Sequence, residues 1–144
     1  TQNEIEIIRG IDSYVEYVDS ISFSLNEEMS YGVILPAHGR INGKSIEKIE
    51  TVKKVLKIDK QIFKMIYSEK KSKIKEEFIF YYKDLKLVYA EFLIYKKKKS
   101  TKKVFYYINE LPLYPSFSDS NYDINVDLRL IEKSRLAMWN RCSQ

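Results

Sequence analysis

The chain has very few of the residues that build metal sites, disulfides and acid–base centres. It contains one cysteine, Cys142, and one histidine, His38, which lie far apart in the sequence. A single thiol cannot form an internal disulfide, so the fold does not depend on an oxidising compartment. A zinc site normally takes three or four histidine, cysteine or carboxylate ligands, and no such spacing occurs here. We therefore expect no metal and no cofactor.

Glycine and proline are also scarce, and long apolar runs are missing. Only 4 glycines and 3 prolines are present, which is not the composition of a disordered or linker-rich chain. No apolar run approaches the roughly 20 residues of a membrane helix, and the first residues do not have the pattern of a signal peptide. The 144 residues are the usual size of one domain. We therefore expect a single cytoplasmic domain spanning residues 1–144, without membrane contact.

Tyrosine and lysine, in contrast, are abundant. The chain has 12 tyrosines, and its 25 lysines and arginines exceed its 20 aspartates and glutamates, which gives a net charge of +5. A tyrosine ring packs in a core while its hydroxyl reaches water or a partner. Two interpretations of the tyrosines are open: they fill the faces of a sheet, or they line a recognition surface.

Hydrophobic periodicity predicts helices and one hairpin in the first half of the chain. Apolar residues at three- and four-residue steps predict a helix over 4–18. Alternating residues predict a strand over 21–25, whose hairpin partner is the apolar run 31–35. Two further apolar stripes predict helices over 46–56 and 60–69.

The second half of the chain predicts a three-stranded meander. Apolar runs predict strands over 78–82, 85–95 and 104–108, and the middle run is apolar on both faces, as in the centre of a sheet. A last helix is expected to start at Asp123 or Asn125. The expected fold class is α+β, with an antiparallel sheet (a hairpin plus the three-stranded meander) packed against N-terminal, middle and C-terminal helices.

Two lysine runs give the clearest indication of a partner. Because each turn of a meander reverses the chain, both runs are expected at the same end of the sheet. Lysine clusters attract phosphates or acidic surfaces, and nearby tyrosines can stack on bases. The alternative is that these lysines keep exposed turns and edges soluble. The candidate partner-binding residues of the two runs and their surroundings are Lys71, Lys73, Lys96, Lys97, Lys98, Lys99, Lys102, Lys103, Tyr81 and Tyr106.

The loop 36–43 adds His38 and Arg40 to the candidate partner-binding residues. One histidine, an arginine or lysine and a tyrosine are enough for ribonuclease-type acid–base chemistry, with the arginine holding a phosphate. The alternative is a surface histidine without a role. No P-loop, dinucleotide-binding or nucleophile-elbow motif accompanies this loop, so we assign no catalytic residue and favour a protein that is not an enzyme.

Two aromatic strands, Phe78–Tyr82 and Val104–Ile108, followed by a closing helix, resemble small bacterial immunity proteins. These are the antitoxins of contact-dependent growth inhibition and related polymorphic-toxin systems. The resemblance implies a non-catalytic protein that binds a cognate toxin domain and blocks its active site. Because the chain is basic, the toxin surface would be acidic, or the contact would use acidic residues of the first helix. The alternative function is a basic nucleic-acid-directed domain, such as a small RNase toxin that uses His38.

Overall fold

The computed structural model describes the backbone of residues 2–35, 40–41, 44–45 and 48–113, and the side chains of residues 3–35 and 48–113. It begins with an α-helix, α1 (Gln2–Ile21), which is followed by a short 3-10 turn at Ser22–Ser24. The predicted N-terminal helix is therefore confirmed, and it continues beyond its predicted end at residue 18.

The strand predicted over 21–25 is wrong, because serine side chains in this stretch favour the helical conformation. The hydroxyls of Ser20, Ser22 and Ser24 each donate to the backbone carbonyl three residues earlier, at 2.6, 2.8 and 2.7 Å. Such local bonds compete with the bonds between paired strands. The alternation of serine with apolar residues, which suggested a strand, instead marks the end of α1.

The rest of the described chain consists of strands joined by short connections. Seven of them form an antiparallel sheet in the order β1-β4-β5-β6-β7-β8-β9, and β2 and β3 form a separate small hairpin. The strands are β1 (Asn26–Ile34), β2 (Arg40–Ile41), β3 (Lys44–Ser45), β4 (Ile49–Ile58), β5 (Gln61–Lys71), β6 (Ile74–Lys83), β7 (Lys86–Lys96), β8 (Lys99–Ile108) and β9 (Leu111–Pro112).

Two-residue turns connect the successive strands from β4 to β9. The first residue of each turn has a positive φ, between 49° and 56°. Positive φ at this position belongs to the tight hairpin turns whose twist matches that of the flanking strands. Aspartate, asparagine and serine tolerate this conformation better than most residues, and they occupy four of the five positions. The five residues are Asp59, Ser72, Asp84, Lys97 and Asn109.

The predicted fold class is wrong in its helices. The stretches predicted as middle helices, 46–56 and 60–69, contain β4 and β5, and the strand partner of 31–35 is β4. Within the described residues, α1 is the only α-helix, so three helices do not pack on the sheet; the predicted last helix lies outside those residues. β-branched residues explain the error, because they suit strands better than helices. In β4 they are Ile49, Thr51, Val52, Val55 and Ile58.

The meander predicted over 78–82, 85–95 and 104–108 is confirmed as β6, β7 and β8. These strands bury side chains on both faces of the sheet. On one face, Val18 of α1 packs with Tyr81 and Tyr89. On the other face lies a larger apolar cluster formed by Val55, Ile62, Met65, Phe78, Phe80, Tyr82, Leu87, Ala90, Phe92, Phe105 and Tyr107.

Candidate binding surface at the lysine-rich end of the sheet

Strand direction distributes the turns between two ends of the sheet. The β5–β6 turn at 72–73 and the β7–β8 turn at 97–98 lie at one end, and the other two-residue turns lie at the opposite end. The pairing of Ile74 with Lys96 places the first two turns side by side. The predicted convergence of the two lysine runs is therefore confirmed.

We call this region the lysine end. Between its two turns is an open cavity of about 660 Å³, which Ser72, Ile74 and lysines of both turns line. The aliphatic stems of lysine can cover apolar surface while the ammonium groups stay in water. The volume is in the range of small-molecule and peptide pockets. Six exposed lysines occupy the two turns and the strand residues next to them: Lys71, Lys73, Lys96, Lys97, Lys98 and Lys99.

These six lysines have no acidic partner among the described residues, and none of them makes an ion pair there. Lys96 and Lys99 even face each other across neighbouring strands, and so do Lys70 and Lys75, of which Lys75 also lies 3.6 Å from a carboxylate oxygen of Glu77. Directly opposed like charges destabilise a sheet. The facing lysines therefore reduce the stability of the sheet at the lysine end, and a glutamate in place of one of them would remove the repulsion.

The turns at the opposite end of the sheet have a different composition. Each contains one acidic residue, namely Asp59, Asp84 or Glu110. Solubility alone would be served by lysines at either end. The concentration of unpaired positive charge at one end is therefore a specific property of this surface.

Lys102 and Lys103 were predicted to belong to the same basic patch, but they lie further along β8. The ammonium group of Lys102 is 3.1 Å from a carboxylate oxygen of Glu91. Lys103 is half-buried and stands opposite Phe92 on β7. The structure thus separates these two lysines from the six of the lysine end.

Tyr81 and Tyr106 lie beneath α1, and not at the lysine end. With Tyr89 between them, they stand directly opposite one another on β6, β7 and β8, and neighbouring rings meet edge to face with centroids 5.4 and 5.3 Å apart. The hydroxyl of Tyr81 donates to Asp19 at 2.7 Å, and that of Tyr106 donates to Asp12 at 2.9 Å. Both carboxylates belong to α1, so this tyrosine row attaches the helix to the sheet.

The surroundings of these phenols keep them neutral. Burial, followed by the hydrogen bond to Asp19, raises the pKa of Tyr81, and burial is also the main cause of the raised pKa of Tyr89. The hydroxyl of Tyr14 donates to the carbonyl of Tyr82 at 2.5 Å, and burial is the main reason that its pKa is raised to about 12. These hydroxyls therefore act as hydrogen-bond donors and not as bases.

His38 lies outside the described residues, and of Arg40 only the backbone, in β2, is described. The segment that contains them leaves the sheet after Ile34 and returns at Ile49, and these two residues pair directly. Since β4 runs antiparallel to β5, the segment joins the sheet at the lysine end. Two further residues of this end, Ser72 in the turn and Ile74 at the start of β6, were not predicted from the sequence. The available signal was the apolar Ile74 inside a lysine run.

No three or more of the histidine, cysteine and acidic residues in the described ranges are grouped so that they could hold a metal ion. Over the same ranges, no helix combines the length and the apolar composition needed to cross a membrane; α1 has 20 residues but is not apolar enough. Comparisons of the chain with protein families, curated proteins and solved structures find no match. The function proposed below therefore rests on the chain's own residues.

Proposed function

We propose that this protein is a non-catalytic binding domain whose lysine end docks on an acidic surface of a partner protein. The partner class is a bacterial toxin domain, and the protein then acts as an immunity protein that covers the toxin's active site. The resemblance of the aromatic strands β6 and β8 to immunity proteins supports this class of partner. A protein in this role needs no catalytic residue of its own.

The observation that carries the proposal is the set of six unpaired lysines on two adjacent turns. Lysine ammonium groups are compact, hydrated charges on flexible stems, which attract an acidic surface over a distance and speed up association. Binding of an acidic partner would also remove the repulsion between Lys96 and Lys99, which face each other across β7 and β8. The lysine end thus carries positive charge that no acidic side chain among the described residues neutralises.

Two features favour a protein over a nucleic acid as this partner. Non-specific binding to single strands uses aromatic rings on which bases stack, but the rings of Tyr81 and Tyr106 belong to the row beneath α1. The exposed ring at the lysine end, Tyr95, already has the ammonium group of Lys75 over it, 5.9 Å from its centroid. The cavity of the lysine end also combines Ile74 with a charged rim, as protein interfaces combine an apolar centre with a polar rim. A nucleic acid would make little use of this apolar centre, because its phosphate backbone is bound chiefly by charge.

The acidic residues of α1 offer a weaker contact surface. Asp12 and Asp19 already accept hydrogen bonds from Tyr106 and Tyr81, and Asp19 also lies 3.0 Å from the ammonium group of Lys64. A partner would have to replace these contacts, whereas the six lysines make no ion pair with any residue that the structure describes. The proposal therefore rests on the lysine end.

The test is a calorimetric titration against the product of the adjacent gene, where that gene encodes a secreted toxin. The variant Lys73→Glu with Lys97→Glu reverses one charge on each turn of the lysine end. The matched control, Lys60→Glu with Lys86→Glu, reverses two exposed lysines at the opposite end. We expect a 1:1 complex for the wild type and the control, and roughly 10- to 100-fold weaker binding for the lysine-end variant.

Equal affinity of the two double variants would overturn the assignment of the lysine end. The absence of any protein complex, combined with salt-sensitive RNA binding, would overturn the protein-binding function and favour a nucleic-acid-directed domain. The variant His38→Ala distinguishes an inhibitor from an RNase toxin. An inhibitor keeps its function in this variant, whereas an RNase toxin that uses His38 loses both RNA cleavage and toxicity on expression.

A further inference from the structure

β1 is an edge strand of the sheet and is exposed along its whole length. Among the described strands only β4 pairs with it, in unbroken register from Asn26 opposite Lys57 to Ile34 opposite Ile49. All residues of β1 are exposed. In the described part of the structure, its outer row of N–H and C=O groups therefore faces no other strand.

Apolar side chains recur at every second position along β1, as they do in a strand that buries one of its faces. Met29, Tyr31, Val33 and Leu35 alternate with small or branched neighbours and project from the same face of the sheet. Tyr31 is 73% exposed and Leu35 is 72% exposed. We call these four residues the apolar stripe. An exposed apolar stripe of this kind marks an interaction surface.

The two edges of the sheet differ in their protection against pairing with another strand. At the other edge, β9 pairs with only the last two residues of β8 and includes Pro112, which has no N–H to donate, and the part of β8 that β9 leaves uncovered carries Lys99, Lys102 and Lys103. β1 has nine residues, no proline, no lysine and no bulge. Its only charged side chains, Glu27 and Glu28, contact Lys54 and Lys57 of β4. A long and regular edge without protection is suited to pairing with a further strand.

We propose that β1 pairs with β1 of a second copy of this chain, antiparallel about a two-fold axis at Tyr31. In this register Tyr31 lies opposite the second copy's Tyr31, Met29 lies opposite its Val33, and Glu27 lies opposite its Leu35. Three residues of the apolar stripe, Met29, Tyr31 and Val33, meet the same three residues of the second copy, and no carboxylate faces another carboxylate. The two sheets become one continuous sheet, independently of the proposed function.

Charge favours a second copy in this orientation. Antiparallel pairing turns the second copy end for end, so the two lysine ends lie at opposite ends of the joined sheet. A parallel alignment would place both lysine ends at the same end of the joined sheet and Glu27 against the second copy's Glu27. The antiparallel dimer avoids both repulsions and leaves each lysine end accessible.

The first test is the mass of the full chain in solution, measured by analytical ultracentrifugation over a concentration series. The variant Tyr31→Lys with Val33→Lys places charge on the apolar stripe, whereas the control Leu111→Lys places charge on the exposed opposite edge. We expect a dimer for the wild type and the control, and a monomer with an unchanged circular dichroism spectrum for the double variant.

The second test determines which residues of the two β1 strands lie opposite each other. In a Cys142→Ser background, Tyr31→Cys places two thiols directly opposite each other across the axis, within reach of a disulfide. Met29→Cys places the two thiols four positions apart along the strands, about 13 Å, which is too far. We expect rapid oxidation to a covalent dimer for Tyr31→Cys and none for Met29→Cys.

A wild-type protein that stays monomeric over the concentration series would overturn the proposal. Protection of the outward-facing β1 amides from hydrogen exchange in a sample that ultracentrifugation shows to be monomeric would show instead that a segment of the same chain covers the edge, which also overturns it. A dimer that persists in Tyr31→Lys with Val33→Lys would place the interface elsewhere on the molecule.

Discussion

The phenol of Tyr81 on β6 donates a hydrogen bond of 2.7 Å to the carboxylate of Asp19, near the end of α1. The same carboxylate oxygen lies 3.0 Å from the ammonium group of Lys64 on β5, and this ammonium group lies over the Tyr81 ring, 4.9 Å from its centroid. Three residues from three elements thus meet at one point. This contact orients α1 across the sheet, near the end opposite the lysine end, and leaves the lysine end uncovered by the helix.

Removal of the Asp19 carboxylate is expected to destabilise the fold. In Asp19→Ala, the buried hydroxyl of Tyr81 loses its acceptor, and a buried donor without a partner costs about 1–3 kcal/mol of unfolding free energy. The measurement is urea denaturation followed by circular dichroism. The control is Glu16→Ala on the exposed side of α1, which we expect to change stability by less than about 0.5 kcal/mol.

A double-mutant cycle with Tyr81→Phe isolates this one bond. If the hydrogen bond is what Asp19 contributes, Asp19→Ala costs much less when Tyr81 has already been replaced by phenylalanine. Fully additive effects of the two substitutions would show that Asp19 stabilises the protein through Lys64 alone.

Alkaline pH is expected to unfold the protein steeply. The folded state raises the pKa of Tyr81 and Tyr89, mainly through burial, and raises that of Tyr14 to about 12. Tyrosines in the unfolded chain ionise near pH 10, so these residues contribute full stability below pH 10. Above that pH stability falls, by about 1.4 kcal/mol per pH unit for each such tyrosine.

The measurement is a tyrosinate absorbance titration combined with circular dichroism. We expect the buried phenols to ionise together with the loss of structure, and Tyr89→Phe to make the stability loss above pH 10 less steep. Ionisation of all tyrosines near pH 10, with the fold intact, would contradict the buried tyrosine row.

The β6–β7 turn contains a residue that is poorly suited to its backbone. Leu85 has a φ of 64° and a half-exposed side chain. A side chain with a Cβ costs about 1–2 kcal/mol in this left-handed region, so Leu85→Gly is expected to stabilise the protein by about 1 kcal/mol, measured as a raised melting temperature. Leu111→Gly is the control, since Leu111 does not have a positive φ. A stabilisation of equal size in both variants would refute the strain at Leu85.

The lysines of the lysine end are expected to strengthen partner binding and to lower the stability of the fold. Lys96→Glu places an acidic residue opposite Lys99 and converts a like-charged pair into an ion pair. We expect a gain of about 0.2–1 kcal/mol in unfolding free energy at low salt, which decreases as salt is added, together with weaker partner binding. If Lys96→Glu is destabilised, or binds its partner as tightly as the wild type, Lys96 does not contribute to partner binding at the expense of stability.

The sequence was sufficient to predict α1, whose apolar residues recur at three- and four-residue steps, and the strands β6, β7 and β8, whose apolar runs are rich in aromatic and β-branched residues. It was not sufficient for β4 and β5. Their apolar residues can be aligned with a helical period as well as with a strand, and tertiary pairing with β6 decides between the two. The signal that was overlooked is the spacing of the two-residue turns that begin at Asp59, Ser72, Asp84, Lys97 and Asn109, which recur every 12 or 13 residues.

The candidate site was predictable in part. Meander topology is enough to bring the lysine runs of residues 71–73 and 96–99 together, since alternate turns share one end of the sheet. The position of Tyr81 and Tyr106 was not predictable, because the face that a helix covers depends on contacts far apart in the chain, such as Tyr106 with Asp12. The exposure of Tyr31 also had no sequence signal, since an edge strand and a central strand can carry the same alternation.

The most direct test of the lysine end is hydrogen–deuterium exchange of the protein alone and in complex with its toxin partner. We expect the complex to protect the backbone amides of residues 71–74 and 96–99, while the turns at 59–60 and 84–85 exchange equally fast in both states. Protection confined to those opposite turns or to α1, with unchanged exchange at 71–74 and 96–99, would contradict the assignment of the lysine end as the binding surface.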